Sequence, residues 1–328
     1  GLARARGVNG ISLSPLESLS PMPTGTLDTP DPPTTRAEEN ERIWTAFHHH
    51  SRTFSLAARF LPGPVQMPIA TLYLFCRRVD TIADDRILDV GASQALDEVH
   101  DVKHRLDDTL AGRPPTDELL WGRLAEVHET YGLDRAPLYE LIDGAIWDLT
   151  DRPVESEADL MDYSNLVGGS VGAMMLPFLV QTSDYADLER AARDLGIAMQ
   201  ITNIVRDVGE DLRRLDRIYL PSTWMHDCGV TRDDLASGQP TAAYRTLLER
   251  TMEAAERRYE RGFAGIDALP RRMRLGIRSA ARMYREIMNE VRANDYNNLT
   301  QRAYASLSRK LLRVVYDGYS RRKSSLTL

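Results

Sequence analysis

Residues 188–212, LERAARDLGIAMQITNIVRDVGEDL, carry the pattern that decides the fold. Apolar side chains recur every three or four residues, which is the period of one face of an α-helix. They are Ile197, Ile201, Ile204, Val205 and Val208. A second face carries short polar side chains at spacings of 3, 4 and 4, namely Gln200, Asn203, Asp207 and Asp211. We therefore predict a helix with one buried face and one face of amide and carboxylate groups.

The helical period continues through most of the chain from Ala37 onward, and strand patterning is nearly absent. A helix is predicted from Pro68 to Asp84, because proline suits the first turn of a helix. Later helices are predicted over residues 242–266, 271–293 and 301–319. The pattern as a whole predicts an all-α protein.

Residues 158–180 also have a helical period, but Gly168, Gly169 and Gly172 stand in the middle of it. Each glycine weakens a helix by roughly 1 kcal/mol relative to alanine. We therefore expect either a bend or the close approach of a backbone or a ligand at these glycines.

The composition excludes several classes of protein. The chain has 328 residues, 42% of them apolar, and 41 Lys and Arg against 48 Asp and Glu give a net charge of −7. A mildly acidic chain is not drawn to nucleic acid, so we expect no nucleic-acid partner. The two cysteines, Cys76 and Cys228, argue against a disulfide framework or a thiolate metal cluster and favour a reducing, cytoplasmic setting. No apolar run approaches the ~18 residues of a membrane-spanning helix.

The two ends of the chain differ in composition from the rest. Residues 1–36 are rich in Pro, Ser, Thr and Gly and lack a period, which predicts a disordered tail before a single domain over residues 37–328. Residues 301–328 contain seven Lys and Arg, one acid and several leucines. Such a segment favours peripheral association with an anionic membrane surface, and a solvated helix is the alternative.

Two Asp-x-x-x-Asp pairs are the strongest functional signal. Asp80 and Asp84 form the first pair, and Asp207 and Asp211 form the second. On an α-helix, residues four apart share a face at roughly 6 Å, so each pair can hold a hard cation between its carboxylates. Mg²⁺ keeps some of its waters and combines carboxylate with phosphate oxygens. Two such helices facing each other would hold Mg²⁺, or Mn²⁺ as a substitute, against a diphosphate.

Five short strings extend these pairs. In chain order they are HSRTF (50–54), CRRVDTIAD (76–84), YSNLVGGSVG (163–172), QITNIVRDVGED (200–211) and RIYLP (217–221). In this order and spacing the chain resembles the squalene/phytoene synthase family, and the Asn-x-x-Arg-Asp-x-x-Glu-Asp string is highly specific to that family. The resemblance implies one all-α domain of the isoprenoid synthase type, with helices around a deep apolar cavity.

The resemblance also implies an activity, the Mg²⁺-dependent head-to-head condensation of two prenyl diphosphates. The first substrate loses diphosphate, its allylic cation alkylates the second, and a cyclopropylcarbinyl diphosphate forms, ionises and rearranges to a hydrocarbon. The implied reaction joins two geranylgeranyl diphosphates to give phytoene in carotenoid biosynthesis, without NADPH and in contact with downstream carotenoid enzymes. The first alternative is farnesyl diphosphate chemistry, giving squalene, presqualene diphosphate or dehydrosqualene. The second is an inactive helical partner subunit.

On this resemblance, the four aspartates ligate Mg²⁺ and Asn203, one turn before Asp207, adds a neutral oxygen. Three residues are expected to bind phosphate oxygens, namely Ser51, Arg52 and Arg77. Arg206 and Arg217 either do the same or pair with acids. Diphosphate is a poor leaving group until metal ions and arginines neutralise its developing charge.

Three further positions have alternative interpretations. Tyr163 either orients diphosphate and steadies a cation with its ring face, or is a core tyrosine. Gln200 either lines the upper cavity or is a surface amide. His50 close to phosphate is favoured over a metal site formed by residues 48–50, because consecutive helical residues point about 100° apart.

Small side chains predict room for long prenyl tails. Phe54 and Ala58 are four apart and should share a face below Ser51. Ala70 precedes Asp80 by ten residues, which places it about 15 Å along that helix from the metal site. A bulky ring at either alanine would exclude isoprene units by overpacking. Alanine at both positions therefore predicts C20 substrates and a C40 product.

Overall fold

The computed structural model describes residues 35–180 and 186–301, and every regular element within these ranges is helical. The first helix begins at Arg36, one residue before the predicted start, because Thr35 caps it. The Thr35 hydroxyl accepts from the Glu38 amide at 3.3 Å, and the Glu38 carboxylate accepts from the Thr35 amide at 2.7 Å. The predicted tail, apart from residues 35 and 36, lies outside the described residues, as does the predicted helix after Gln301.

Fifteen α-helices and two π-helical turns make up the described part of the chain. The helices are α1 (Arg36–His50), α2 (Arg52–Ala58), α3 (Gly63–Thr81), α4 (Ile87–Val90), α5 (Ala92–Leu110), α6 (Leu119–Tyr131), α7 (Arg135–Leu149), α8 (Glu157–Ser164), α9 (Ser170–Met174), α10 (Leu176–Leu179), α11 (Ala186–Leu215), α12 (Ser222–Cys228), α13 (Arg232–Ala236), α14 (Ala242–Ile266) and α15 (Arg271–Ala293). The first π turn, Ile82–Arg86, follows α3, and the second, Asn165–Gly169, follows α8. The all-α prediction is confirmed, and α14 and α15 have the predicted bounds.

Helix α11 is the central element of the fold. It packs along α14 and also contacts α9, α15 and the second π turn. The five residues of its predicted apolar stripe are each 5% exposed or less, so this face is buried in the main core. The polar stripe lies on another face of α11, and the C-terminal part of this helix reaches the first π turn, where Arg214 contacts Asp85.

Glycines allow α11 and the second π turn to touch through their backbones. A Cβ on Gly168 would overlap the Gly196 carbonyl oxygen, and a Cβ on Gly196 would overlap the Gly168 carbonyl oxygen. A Cβ on Gly172 would likewise overlap the carbonyl oxygen of Ala192. The expectation that a backbone comes close is confirmed at Gly168 and Gly172, and the approaching backbone is that of α11, whereas side chains approach Gly169.

Two details of the predicted helices are wrong. Residues 158–180 form α8, the second π turn, α9 and α10 rather than one helix, because the glycine-rich segment widens into a π turn and Pro177 starts a new helix. Helix α3 begins at Gly63 and contains Pro68 in its interior. Proline has no amide to bond the Pro64 carbonyl, and the Tyr131 hydroxyl donates to that carbonyl instead, at 3.3 Å.

A small second apolar cluster lies between α1, α2, α3 and α6, apart from the main core. Its buried members are Ile43, Ala46, Phe47, Ala58, Ala70, Leu74 and Leu120. Phe54 and Tyr73 pack against it and are only partly buried. Both alanines of the predicted tail pocket are therefore in one cluster. None of the helices within residues 35–180 and 186–301 is long and apolar enough to cross a bilayer.

Candidate active site

The first aspartate pair lies where α3 passes into a π turn. Asp80 is in the last turn of α3, and Asp84 is inside the turn Ile82–Arg86. Burial raises the pKa of Asp80 from 3.8 to about 7, and repulsion from Asp84 adds to this. Burial also raises the pKa of Asp84, although 38% of its side chain is accessible, so this carboxylate lines a recess rather than the outer surface. The two carboxylates therefore act on each other across the π turn.

The second pair faces the first across the fold. Burial raises the pKa of Asp211 from 3.8 to about 8, with further contributions from Asp207 and then from Asp84. Asp84 and Asp211 belong to different elements, so their mutual repulsion shows that the two aspartate-bearing segments converge. Asp211 is thus close enough to Asp84 for the two carboxylates to repel each other, and Asp80 and Asp207 each lie four residues earlier in their own segments.

Among the side chains of residues 35–180 and 186–301, no group of three or more His, Cys, Asp or Glu lies close enough together to hold a metal ion directly. Mg²⁺ commonly takes only one or two carboxylates and fills its other positions with water and phosphate oxygens, so opposed pairs fit its chemistry. Asn203 supplies a further observation. Its amide nitrogen donates to the Gln200 side chain at 3.2 Å, while its Oδ1 is buried and has no hydrogen-bond partner. A buried acceptor without a donor beside repelling carboxylates fits a cation site.

Three arginines already pair with acids in and beside this region. Arg77 contacts Asp85 at 3.1 Å, and Arg217 contacts Asp84 at 3.4 Å. Arg206 donates to Asp207 through Nε at 2.8 Å and also through Nη2. Of the two interpretations of Arg206 and Arg217, acid pairing is therefore the one that this structure contains.

Tyr163 belongs to a polar group that the sequence analysis missed. Its hydroxyl donates to Asp148 at 3.0 Å, and the Tyr219 hydroxyl donates to the other carboxylate oxygen at 2.8 Å. Burial raises the pKa of Asp148 to about 7. A signal was present, because Asp148 follows Leu141 and Gly144 at helical spacing and both of those residues are buried. An aspartate on an otherwise apolar helix face indicates a buried polar role.

The residues near the start of α2 have capping and packing partners. Ser51 caps α2, because its hydroxyl accepts from the Phe54 amide at 3.1 Å. The side chain of Arg52 lies outside the described part of the structure. His48 is bonded to Ser55 at 3.0 Å, whereas the rings of His49 and His50 contact each other edge to face at 5.4 Å between centroids. Partial burial and the nearby Arg77 lower the pKa of His50 to about 4, so this ring is neutral beside Arg77 and Asp85.

The residues assigned to the prenyl tails form two groups. The side-chain oxygen of Gln200 accepts a hydrogen bond from the Asn203 amide. Gln200 also lies against Gly168, since a Cβ added at Gly168 would come within 2.8 Å of the Gln200 Cβ. Phe54 contacts the rings of Tyr73 at 5.9 Å and Tyr284 at 5.0 Å between centroids. Ala58 and Ala70 lie in the apolar cluster behind these rings. Aromatic and apolar groups therefore extend away from the carboxylates along α2 and α3.

Comparison with known proteins agrees with this arrangement. The family model described as squalene/phytoene synthase matches residues 47–309. A phytoene synthase of Rhodobacter capsulatus is 38% identical over 84% of this chain and 80% of its own length. One of Cereibacter sphaeroides is 36% identical over 84% and 78%. A crystal structure of a dehydrosqualene synthase in complex with a ligand superposes with a TM-score of 0.77 at 31% identity, covering 88% of this chain and 98% of that one. With two aspartate pairs facing each other on an all-helical fold, the chain belongs to the squalene/phytoene synthase family.

Proposed function

We propose that this chain condenses two molecules of geranylgeranyl diphosphate head to head into phytoene, with release of diphosphate. The observation that carries the proposal is the convergence of Asp84 and Asp211, which gives a strongly acidic recess suited to a cation-bound diphosphate. The substrate class comes from the relatives named phytoene synthase, which match most of the chain.

Mg²⁺, or Mn²⁺ in its place, would be held by the four aspartates and Asn203, and when bound would neutralise the charge that develops on the departing diphosphate. The unpartnered Asn203 oxygen and the raised pKa values of Asp80 and Asp211 support this ligand set. The Asn203 oxygen is an acceptor without a donor, and the raised pKa values show that the carboxylates are costly to ionise without a cation.

The arginines would orient the diphosphate. Arg77, Arg206 and Arg217 each pair with a carboxylate of the recess or beside it. A guanidinium can bind phosphate oxygens through two parallel N–H groups. When substrate binds, each arginine would donate some of its N–H groups to phosphate oxygens instead of to the carboxylate. His50, neutral beside Arg77, would offer a ring nitrogen at the same place.

The aromatic residues would exclude water from the allylic cations. Water quenches such cations, and an apolar wall prevents this. Phe54, Tyr73 and Tyr284 form a contiguous set of rings, and an aromatic face also attracts a cation. Behind them, Ala58 and Ala70 are 4% and 0% exposed, so a large ring at either position would have to displace the side chains around it. These small residues support C20 rather than C15 tails.

The experiment that tests the proposal is a product chromatogram with C15 and C20 diphosphates, each with and without Mg²⁺. We expect a C40 hydrocarbon from the C20 substrate, formed only with Mg²⁺. Asp84→Ala should lower turnover by about 100- to 1000-fold, since it removes a group that acts on charge in the transition state. Asp89→Ala is the matched control, because Asp89 lies five residues further along and its side chain is 69% exposed.

The result also decides between the alternatives. A clear preference for farnesyl diphosphate would favour dehydrosqualene or squalene chemistry, for which the similarity to a dehydrosqualene synthase is the supporting observation. Absence of turnover with either substrate would favour an inactive partner subunit.

We further propose that the protein docks peripherally on anionic membranes, where an oily product can be released to downstream carotenoid enzymes. Residues 302–328 lie outside the described structure, but helix α15 also has a basic surface. Residues 271–285 contain six arginines and no acid. Arg271 and Arg272 are exposed, and Leu275, between them and Arg278, is 49% exposed. A basic surface with an exposed leucine suits an anionic lipid surface.

A further inference from the structure

Asp148 stands at the meeting point of three separate elements. It lies in the last turn of α7 and its two carboxylate oxygens are each used by a different phenol. Tyr163, from α8, donates to Oδ2 at 3.0 Å, and Tyr219, from the segment after α11, donates to Oδ1 at 2.8 Å. One buried carboxylate thus fixes two side chains that are far apart in sequence.

The two phenols form one aromatic unit. The rings of Tyr163 and Tyr219 stack with centroids 4.8 Å apart and an interplanar angle of 18°. The Trp147 ring also packs against Tyr163, with the two ring centroids 5.7 Å apart. Since each hydroxyl donates to the same carboxylate, neither phenol can be displaced without breaking that hydrogen bond, and hydrogen bonds to an ionised acceptor are stronger than neutral ones.

The backbone of Asp148 reaches the diphosphate region as well. Its carbonyl oxygen accepts from Nη2 of Arg217 at 3.2 Å, and the same nitrogen donates to the Ala83 carbonyl at 3.1 Å. Nη1 of Arg217 then contacts Asp84 at 3.4 Å. Asp84 is close enough to affect both phenols electrostatically. The aromatic pair and the first aspartate pair therefore share one hydrogen-bonded support.

We propose that the Asp148 carboxylate is a positioning group for the condensation, acting through Tyr163 and Tyr219 rather than by touching substrate. It holds the stacked rings beside Asp84, where the allylic cation forms after diphosphate leaves. A phenol that donates to a carboxylate also gains electron density, which strengthens the attraction of its ring for a cation. This inference rests on the proposed function, because it assigns Asp148 a part in that reaction.

The test compares Asp148→Ala and Asp148→Asn with Asp143→Ala, in which an exposed aspartate of the same helix is changed. We expect Asp148→Ala to lower kcat by about ten- to a hundredfold with little change in KM, because misplaced groups cost rate more than ground-state binding. Asp148→Asn, which keeps an acceptor oxygen, should recover part of the rate. The fraction of product released as the cyclopropylcarbinyl diphosphate should rise in Asp148→Ala, a change that a general loss of stability would not produce.

A double-mutant cycle makes the proposal refutable. If Asp148 acts through the phenols, the rate losses of Asp148→Ala and Tyr219→Phe should be less than multiplicative when combined. Near-ultraviolet circular dichroism should change in Asp148→Ala and stay unchanged in Asp143→Ala, with both variants folded by the far-ultraviolet spectrum. Multiplicative losses, or Asp148→Ala kinetics equal to those of Asp143→Ala, would overturn the proposal. Failure of the wild type to turn over any prenyl diphosphate would instead refute the proposed function, and the near-ultraviolet comparison would still test whether Asp148 holds the rings.

Discussion

Replacing Asp211 by asparagine should stabilise the metal-free protein, and more so at alkaline pH. Burial and the charges of Asp207 and Asp84 raise the pKa of Asp211 from 3.8 to about 8. The folded protein therefore keeps this proton between about pH 4 and pH 8, where the unfolded chain has lost it. The stability that follows from a raised pKa is complete below the unfolded value and is lost as pH rises through the folded value.

The magnitude follows from the size of the shift. A pKa shift of about four units corresponds to about 6 kcal/mol, at roughly 1.4 kcal/mol per unit. This is the upper limit of the free energy that ionising Asp211 costs the folded protein relative to the unfolded chain. Because the Asp211 residue is partly exposed to solvent and shares the repulsion with Asp207 and Asp84, the amide should recover only about a third of this free energy. We expect Asp211→Asn to raise the free energy of unfolding by about 2 kcal/mol at pH 8 and by much less at pH 5.

Urea unfolding in the presence of a chelator at pH 5, 6.5 and 8 measures this difference. Asp187→Asn is the control, because Asp187 is on the same helix and its side chain is 90% exposed. With Mg²⁺ and inorganic diphosphate added, the order should reverse, since ligands stabilise only a protein that binds them. A variant less stable than the wild type at pH 8, or a difference that does not depend on pH, would refute the reasoning.

Three other changes test separate parts of the account. Gly196→Ala should lower the free energy of unfolding, measured in urea, by several kcal/mol. The reason is that the new Cβ would overlap the Gly168 backbone, which cannot move aside as a side chain does. A variant as stable as the wild type would contradict that contact. Ala70→Trp should shift the ratio of C20 to C15 turnover toward the C15 substrate by at least about tenfold, as overpacking removes room for the longer tail, and an unchanged ratio would place the tails elsewhere. Changing Arg271 and Arg272 together to glutamate should weaken flotation with anionic vesicles and reduce its salt dependence, at ~1 kcal/mol per basic residue, whereas unchanged flotation would exclude this face of α15.

Local sequence pattern predicted the helices best where one face is both apolar and long. The stripe on α11 is as buried as its spacing indicates, and α14 and α15 begin and end at the predicted residues. The same reasoning missed the first turn of α3, since Pro68 is an ordinary helix breaker by local rules. Its missing hydrogen bond is replaced by Tyr131, which is distant in sequence, so only the tertiary structure reveals why the helix continues.

The residues of the candidate site also differ in how well the sequence predicts them. The aspartate pairs and Asn203 are recognisable because short polar residues recur along one helix face. Asp148 and Asp85 are not, since Tyr163 and Tyr219 bond to Asp148, and Arg214 to Asp85, from other segments, and no spacing in the sequence connects them. The π turn at Ile82–Arg86 is also invisible to a pattern of four-residue spacing, although it alters how Asp84 is presented. Long-range hydrogen bonds and local helix widening are therefore what the sequence alone does not supply.

The proposed reaction requires that the two aspartate-bearing segments hold the same cation-bound diphosphate. Anomalous diffraction from a crystal soaked with Mn²⁺ and inorganic diphosphate tests it directly. We expect Mn²⁺ density between Asp80 and Asp84 on one side and Asp207 and Asp211 on the other, with diphosphate bridging the two pairs and Asn203 Oδ1 turned toward the metal. Mn²⁺ bound to only one pair without diphosphate, or bound elsewhere on the protein, would contradict it.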